Sequence, residues 1–408
     1  MNNNNGYYHR YVKSFIKFLV PSDKKVLDIE YNRLDFSNTN KDHDYVIASD
    51  ILGYVFDVEK FLKEVSVLIN KDGRIIITQY NVLWEPILVL ASKLGLRKPM
   101  IKQNWLSKLD IINFAYLAGL ETVKSGTKMI MPKYIPLISA FLNKFVSNIF
   151  PFSRLGIFHY LVFKKKRYIS RASLPSLSII VPARNEAGTI AKIVKELPTL
   201  GSFTEIIFIE GHSTDNTLEE IKKQTGEKIK YAIQDGKGKG DAVRKGFDMA
   251  KGDILAIYDA DMTVPVDEIS KFYEAIITNK GDFINGSRLI YPMEKESMRI
   301  LNIFGNKFFS FAFSSILGQP IKDTLCGTKV LWRKDYENIK RNRSFFGDFD
   351  PFGDFDLLFG AVKLNLKIID MPIHYKERKY GVTNISRWKH GWLLLKMTIF
   401  AARKIKFI

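Results

Sequence analysis

Short apolar runs closed by turn residues alternate along this chain with stretches whose apolar positions recur three and four apart. Val26–Ile29 and Asp44–Ser49 read as strands. Phe61, Leu62, Val65 and Leu68 mark one face of a helix between Val58 and Ile69, and Asp72-Gly73 then leads into a strand at Arg74–Thr78. The alternation resumes after Pro175. Ser178–Val181 is a strand stopped by Pro182, and Glu186–Leu197 is a helix with Ile190, Ile193, Val194 and Leu197 on one face. Glu205–Ile209 is the next strand, and the polar run Ser213–Thr217 supplies capping residues for a helix through Leu218 and Ile221. The run from Gly252 to Tyr258, rich in Ile and Leu, reads as a buried parallel strand ending in Asp259-Ala260-Asp261. Repeated βα units of this kind predict an α/β fold built on a doubly wound, mostly parallel sheet that binds ligands at the C-terminal ends of its strands.

A chain of 408 residues is expected to form two domains. The charged stretch 164–175 has little hydrophobic period and separates residues 1–163 from 176–386, with 387–408 as a final helix. Cys326 is the single cysteine, which excludes an intrachain disulfide framework and a cysteine zinc cluster and fits a reducing compartment. No apolar run approaches the ~20 residues that a membrane-spanning helix needs. Residues 1–6 lack the charged and apolar regions of a secretory signal. A cytoplasmic protein lying on a membrane, not across it, is therefore expected.

The net charge of +19 changes that picture by demanding an anionic partner. Residues 374–408 carry nine Lys or Arg against the single Glu377. Neither a zinc finger nor an aromatic ribonucleoprotein motif is present, so anionic lipid or phosphorylated substrates are expected ahead of nucleic acid, beside the plainer reading of a solvated basic surface. Lys389, Lys396 and Arg403 lie seven apart, next to Trp388, Trp392, Leu395 and Ile399. That pattern fits a helix resting on anionic lipid, or a core helix whose lysines snorkel outward. Ile300, Phe304, Phe308 and Phe311 pose the same choice for residues 299–317.

In the first half, the stretch from Asp44 to Thr78 resembles the fourth through fifth strands of the class I methyltransferases, with residues 119–165 as the closing strands. The likeness stops where cofactor chemistry begins. The glycine-rich turn of that family is replaced after Asp28 by Ile29-Glu30-Tyr31-Asn32-Arg33, and only about fifteen residues lead to the next strand. A shortened scaffold or docking domain without S-adenosylmethionine is expected.

In the second half, six blocks in order between 178 and 387 resemble the family-2 glycosyltransferases of the GT-A fold. They include SIIVPARNEAGTI, the run GKGKGDAVRKGFDMAKGDILAIYDADMTVP, DTLCGTKVL, and FGDFDLLFG leading to YGVTNIS. The nearest subgroup is the dolichyl-phosphate mannose synthase-like and polyprenyl-phosphate sugar transferases. The resemblance implies that Pro182, Ala183, Asn185 and Glu186 cradle the base and ribose of a nucleotide-sugar donor and that Asp215 touches the base. Glu210 stands where the family has Asp, which leaves uracil or guanine open. Lys239 and Gly240, in a glycine-lysine loop, suit the donor phosphates or form a plain surface turn.

Two carboxylates one residue apart, Asp259 and Asp261, suit a hard divalent cation, Mg²⁺ or Mn²⁺, which neutralises a departing diphosphate; an acidic turn is the simpler alternative. Asp261 is expected as direct ligand, Asp259 through ribose or water, and Thr263 as a weaker or water-mediated ligand. Asp354 and Asp356 are candidate bases, or else the N-cap and a first-turn acid of a helix. The resemblance adds Asp323 near the acceptor. Arg288, Lys376, Arg378 and Lys379 are candidate cations for an acceptor phosphate. An inverting transferase acting on a polyprenyl phosphate is expected, with a glycan or other hydroxyl acceptor in surface polysaccharide assembly, or a noncatalytic membrane scaffold, as rivals.

Overall fold

The computed structural model describes residues 6–31, 34–36, 39–95, 104–166, 174–291, 300–345, 353–378, 380 and 387–407. Two compact units are present, Met1–Arg167 with Ile405–Ile408, and Tyr168–Lys404.

In the first unit, α1 (Gly6–Leu19) precedes β1 (Val26–Ile29) and β2 (His43–Ser49); α2 (Val58–Leu68) leads to β3 (Ile69–Tyr80). Helices α3 (Glu85–Lys93) and α4 (Lys108–Leu117) precede β4 (Leu120–Lys128), and α5 (Ile138–Lys144) precedes β5 (Phe158–Lys165). The sheet order is β1-β2-β3-β5-β4, a parallel trio closed by an antiparallel pair. Alternate strand residues serve opposite cores. Val46, Ile75, Ile77, Leu161 and Phe163 pack beneath α2 and α4, while Tyr45, Ile47, Ile76 and Val162 pack under α1. The helix expected between Val58 and Ile69 is present, started by Asp57, whose carboxylate accepts the Lys60 N–H at 2.9 Å. The strand expected at Arg74–Thr78 is longer at both ends, because Ile69 also pairs with His43 across a register irregularity in the ladder.

The second unit contains β6 (Leu177–Ala183), α6 (Ile190–Glu196), β7 (Thr204–Glu210), α7 (Thr217–Gln224), β8 (Ile229–Ile233), α8 (Lys239–Met249), β9 (Ile254–Ile257), α9 (Glu268–Ile277) and β10 (Phe283–Ser287). Then follow α10 (Ile300–Leu317), β11 (Lys329–Trp332), α11 (Arg333–Arg341), α12 (Asp354–Lys363), β12 (Ile368–Pro372) and α13 (Arg387–Ala401). Its sheet order is β12-β10-β11-β9-β6-β7-β8, and only β11 runs antiparallel to its neighbours. The expected mostly parallel α/β sheet is thus observed. Strands β6, β7 and β9 are apolar almost throughout because helices cover both faces.

Helix α6 begins at Ile190, four residues later than expected. Asn185 sits at φ +58°, and the Glu186 N–H is given to the Thr217 hydroxyl at 2.8 Å, so this stretch is a held loop. In α10, Phe308 and Phe311 are exposed while Phe313 is buried 5.2 Å from Phe355. In α13, Trp392 and Ile399 face outward and Leu394, Met397 and Ala401 inward; the side chain of Trp388 lies outside the described residues.

Candidate active site

The carbonyl ends of β6, β7 and β9 set the site. Leaving β6, Pro182 and Ala183 are still in the strand, and the following loop is tied to the β7 exit loop by side chains. Asn185 Oδ1 accepts the Thr214 N–H at 2.8 Å, and the Asn185 N–H is donated to Ser213 Oγ at 3.0 Å. Asp215 accepts the N–H groups of Thr217 and Ala187 and the Tyr380 hydroxyl. Burial pushes the Asp215 carboxyl up, but these donors outweigh it and hold it below its ordinary range. Asn216 is the N-cap of α7 and makes no side-chain cap bond, while Asp215, one residue earlier, accepts the N–H of the first helical residue, Thr217, where a broader capping run was expected. Glu210, expected against the nucleotide, is buried and gives its two oxygens to the N–H groups of His212 and Ser213. Its visible work is to shape the turn, with each oxygen accepting one backbone N–H.

From β9 the chain enters Asp259-Ala260-Asp261, pinned by the Tyr258 hydroxyl, which donates to the Val264 carbonyl at 2.7 Å. Lys239 is the first residue of α8, so the glycine-lysine stretch is only partly a loop. Its Nζ lies 2.5 Å from Asp259 Oδ1. Burial pushes the Asp259 carboxyl up, and Lys239, followed by Lys329 and Arg288, more than offsets this and holds it down. Gly240 packs under Gly353, the αL N-cap of α12 at φ +73°, where a Cβ would come within 2.5 Å of the Gly240 Cα.

Asp261 is more elaborately held. Its Oδ1 accepts the Thr263 N–H at 3.1 Å and the Thr263 hydroxyl at 2.8 Å; its Oδ2 accepts Arg378 Nη2 at 2.7 Å. Arg378 Nη1 reaches Glu186 Oε1 at 2.9 Å. Two expectations need correction. Thr263 is buried with its hydroxyl turned to Asp261, so it braces that carboxylate and does not present an oxygen to a metal. Arg378 joins the strand-end carboxylates because the segment after β12 crosses back over the β9 exit loop, where Lys376 N–H meets the Thr263 carbonyl at 2.8 Å, and reaches Glu186 of the β6 exit loop. The Lys376 side chain is exposed, and Lys379 lies outside the described residues.

Glu186 Oε2 is buried without a hydrogen-bond partner. Burial raises the Glu186 carboxyl to about 7; Arg378 opposes this, and Asp261, Asp215 and Asp259 add to it. A carboxyl raised in the folded state favours folding below its unfolded range, and that contribution is lost as pH climbs through the folded value. Glu186→Gln is expected to raise Tm more at pH 8 than at pH 5, read by thermal denaturation at both.

The acceptor-side residues form pairs. Arg288 Nε and Nη2 bind Asp323 Oδ2 and Oδ1 at 2.7 and 2.8 Å, and the guanidinium lies 5.3 Å from the Tyr375 ring. Asp323, expected close to the acceptor, is fully buried as the anchor of Arg288. Burial pushes its carboxyl up, and Arg288 overrides this to hold it low. Arg288→Met strands that buried charge and is expected to cost about 3–5 kcal/mol in urea unfolding. Asp356, in the first turn of α12, pairs with Arg343 at 2.9 Å. Asp354 is the first helical residue, with Gly353 as N-cap, so neither aspartate caps the helix. Asp356 thus serves as an anchor for the Arg343 guanidinium.

Sequence reasoning missed Gly327 and Lys329. A Cβ on Gly327 would overlap Asp259 Oδ2 and Lys239 Nζ, so this backbone lies directly against the ion pair. Lys329 is fully buried and donates its ammonium to the Cys326 carbonyl, bracing the same turn. The CGTK block marked the place without marking the role.

Among the described residues, no three His, Cys, Asp or Glu gather as a metal cluster. Asp259 and Asp261 supply hard oxygen donors, and the Glu186 Oε2 oxygen beside them is buried without a hydrogen-bond partner. This set fits a divalent cation whose remaining donors come from a bound diphosphate.

A sequence profile described as "Glycosyl transferase family 2" matches residues 178–340. The chain is 31% identical over 244 residues to a dolichol-phosphate mannosyltransferase of Pyrococcus furiosus, a match covering 57% of this chain and 67% of that protein. It is 28% identical over 221 residues to glycosyltransferase AglJ of Haloferax volcanii, covering 54% of this chain and 69% of the other. It is 28% identical over 233 residues to a dolichyl-phosphate beta-glucosyltransferase of Saccharomyces cerevisiae, covering 49% and 67%.

Proposed function

The chain belongs to glycosyl transferase family 2, and from that membership we propose that it moves a hexose, with inversion, from a nucleotide-diphosphate donor to a polyprenyl phosphate at a membrane surface. The observation that carries this reading is the strand-end pair Asp259 and Asp261, faced by Lys239, Arg378 and Glu186. The β6 and β7 exit loops, through Pro182, Ala183, Asn185 and Asp215, hold the nucleoside. Lys239 and Arg378, released from their carboxylates, turn to the donor phosphates. Asp261, with Asp259, would hold Mg²⁺ or Mn²⁺, which would supply Lewis-acid neutralisation of the departing diphosphate.

An oxygen of the acceptor phosphate attacks the anomeric carbon, the bond from that carbon to the diphosphate breaks, and the nucleoside diphosphate leaves. No proton has to be removed. The pairing of Asp356 with Arg343 supports such an already ionised acceptor over a hydroxyl. Two relatives named for dolichyl or dolichol phosphate support the same choice. We assign the acceptor phosphate to Arg288; its fixed orientation against Asp323 and beside Tyr375 supports this role.

No helix among the described residues is long and apolar enough to cross a membrane. The exposed Phe308, Phe311, Trp392 and Ile399, with Lys396 Nζ 5.8 Å from the Trp392 ring, support an interfacial position for α10 and α13. The first unit we read as a methyltransferase-like remnant: the parallel β2–α2–β3 unit supports the likeness, and the glycine-free exit from β1 supports the loss of S-adenosylmethionine binding.

Calorimetry with UDP and GDP, each with Mn²⁺ and with EDTA, tests the donor site. One nucleotide binding only with metal is expected; binding of neither nucleotide with Mn²⁺, or binding unchanged in EDTA, would overturn the reading. Saturable S-adenosylmethionine binding to the same protein would overturn the account of the first unit.

A further inference from the structure

The stretch between β4 and β5 is built inside out for a protein surrounded by water. Its polar side chains point inward: Ser139, Asn143 and Ser147 are at most 1% exposed, and Asn148 is buried with them. Asn143 Oδ1 accepts the N–H groups of Ile130 and Met131, both at 2.9 Å, and its Nδ2 donates to the Met131 carbonyl at 2.8 Å. The Ser147 hydroxyl donates to the Asn143 carbonyl at 2.6 Å, and Lys128 Nζ to Asn148 Oδ1 at 2.7 Å. The outward side chains are apolar. Leu137 is 87% exposed, Phe150 64% and Phe141 58%, with Ile138, Phe145 and Ile149 also exposed.

Scattered exposed leucines are ordinary; a contiguous apolar face over a polar underside marks an interaction surface. The face continues onto α3 and the turn before it, where Trp84 Nε1 donates to the Leu155 carbonyl at 3.0 Å and Leu83, Ile87, Leu90 and Leu94 are exposed.

Charge identifies the occupant. From Thr122 to Asn185 the sequence contains no Asp or Glu. Lys133, Lys144 and Arg154 are exposed on this stretch, and the Arg154 guanidinium lies 5.0 Å from the Phe150 ring. On the stretch between β4 and β5, apolar and aromatic side chains are bordered by cations and no acid, which matches the interface of an anionic lipid bilayer, where rings enter the acyl boundary and cations meet headgroups; on α3, Glu85 stands at the first turn and Lys93 at the last.

We propose that residues 129–157, with the exposed face of α3, form a lipid-docking surface of the first unit that binds anionic membranes independently of α10 and α13. This surface does not depend on the acceptor chosen above.

The test is sedimentation of the full chain with vesicles of phosphatidylcholine alone and with 30% phosphatidylglycerol. Binding is expected to require phosphatidylglycerol, and Leu137→Ser/Phe141→Ser/Phe150→Ser is expected to weaken it by about tenfold or more, with Tm unchanged because the side chains are exposed. Phe141→Ser alone is expected to weaken binding in the same direction and serves if the triple variant misfolds. Equal binding by parent and variants, or no binding to either vesicle, overturns the proposal. So does a concentration-dependent dimer, seen by light scattering, that the triple variant abolishes while vesicle binding persists, since the face then serves a second copy.

Discussion

Asp261→Asn is expected to lower sugar transfer on the order of 10²–10³-fold, the loss typical of removing one preorganised electrostatic group from a transition state. The substitution keeps the shape of the side chain and removes its charge. Asp261 accepts from Thr263 on one oxygen and from Arg378 on the other, so an amide placed there must set an N–H against one of those donors. Fold is expected to survive, because removing one of several neighbouring acids relieves repulsion on Glu186. The check is turnover alongside thermal denaturation. Unchanged turnover in a folded variant removes Asp261 from the mechanism.

Gly327→Ala is expected to reduce turnover on a similar scale, about 10²-fold or more, although Gly327 makes no side-chain contact. Its added methyl would fall on Asp259 Oδ2 and Lys239 Nζ, which are themselves bound at 2.5 Å. The turn carrying Gly327 is braced by the buried ammonium of Lys329, so the methyl is accommodated by parting the Asp259 and Lys239 side chains. Donor affinity is expected to fall with turnover, since displaced Asp259 and Lys239 serve nucleotide binding as well as chemistry. A folded variant with parental donor affinity and turnover would show that Asp259 is not part of the site.

These two positions show how far the sequence could be read. Asp261 was legible because a strand-forming apolar run pointed it at the ligand-binding edge of the sheet and the surrounding blocks supplied a family pattern. The βα order of the second unit was legible for the same reason, since apolar runs and helical spacing are local signals. Gly327 was not, because its role is the place a Cβ cannot occupy, set by Asp259 and Lys239 from distant segments.

The contacts of Arg378 with Asp261 and Glu186 were not legible for a related reason. Arg378 is 192 residues from Glu186 and 117 from Asp261, and no local pattern reports a loop folding back over that distance. Asp323 and Asp356 were visible as acids, but whether an acid is a base or an anchor depends on its partner, here Arg288 and Arg343. The inverted stretch between β4 and β5 escaped notice because its spacing is irregular and only burial separates Asn143 from Phe141.

The account rests on transfer of a sugar to a phosphorylated lipid at Asp259 and Asp261. Its most direct test supplies radiolabelled UDP- and GDP-hexoses to the full chain with a polyprenyl phosphate and Mn²⁺, and follows label extracted into organic solvent. Label is expected in the lipid phase from one nucleotide class, lost with EDTA and in Asp261→Asn. Transfer that persists in Asp261→Asn, or label that reaches only hydroxyl acceptors, would contradict it.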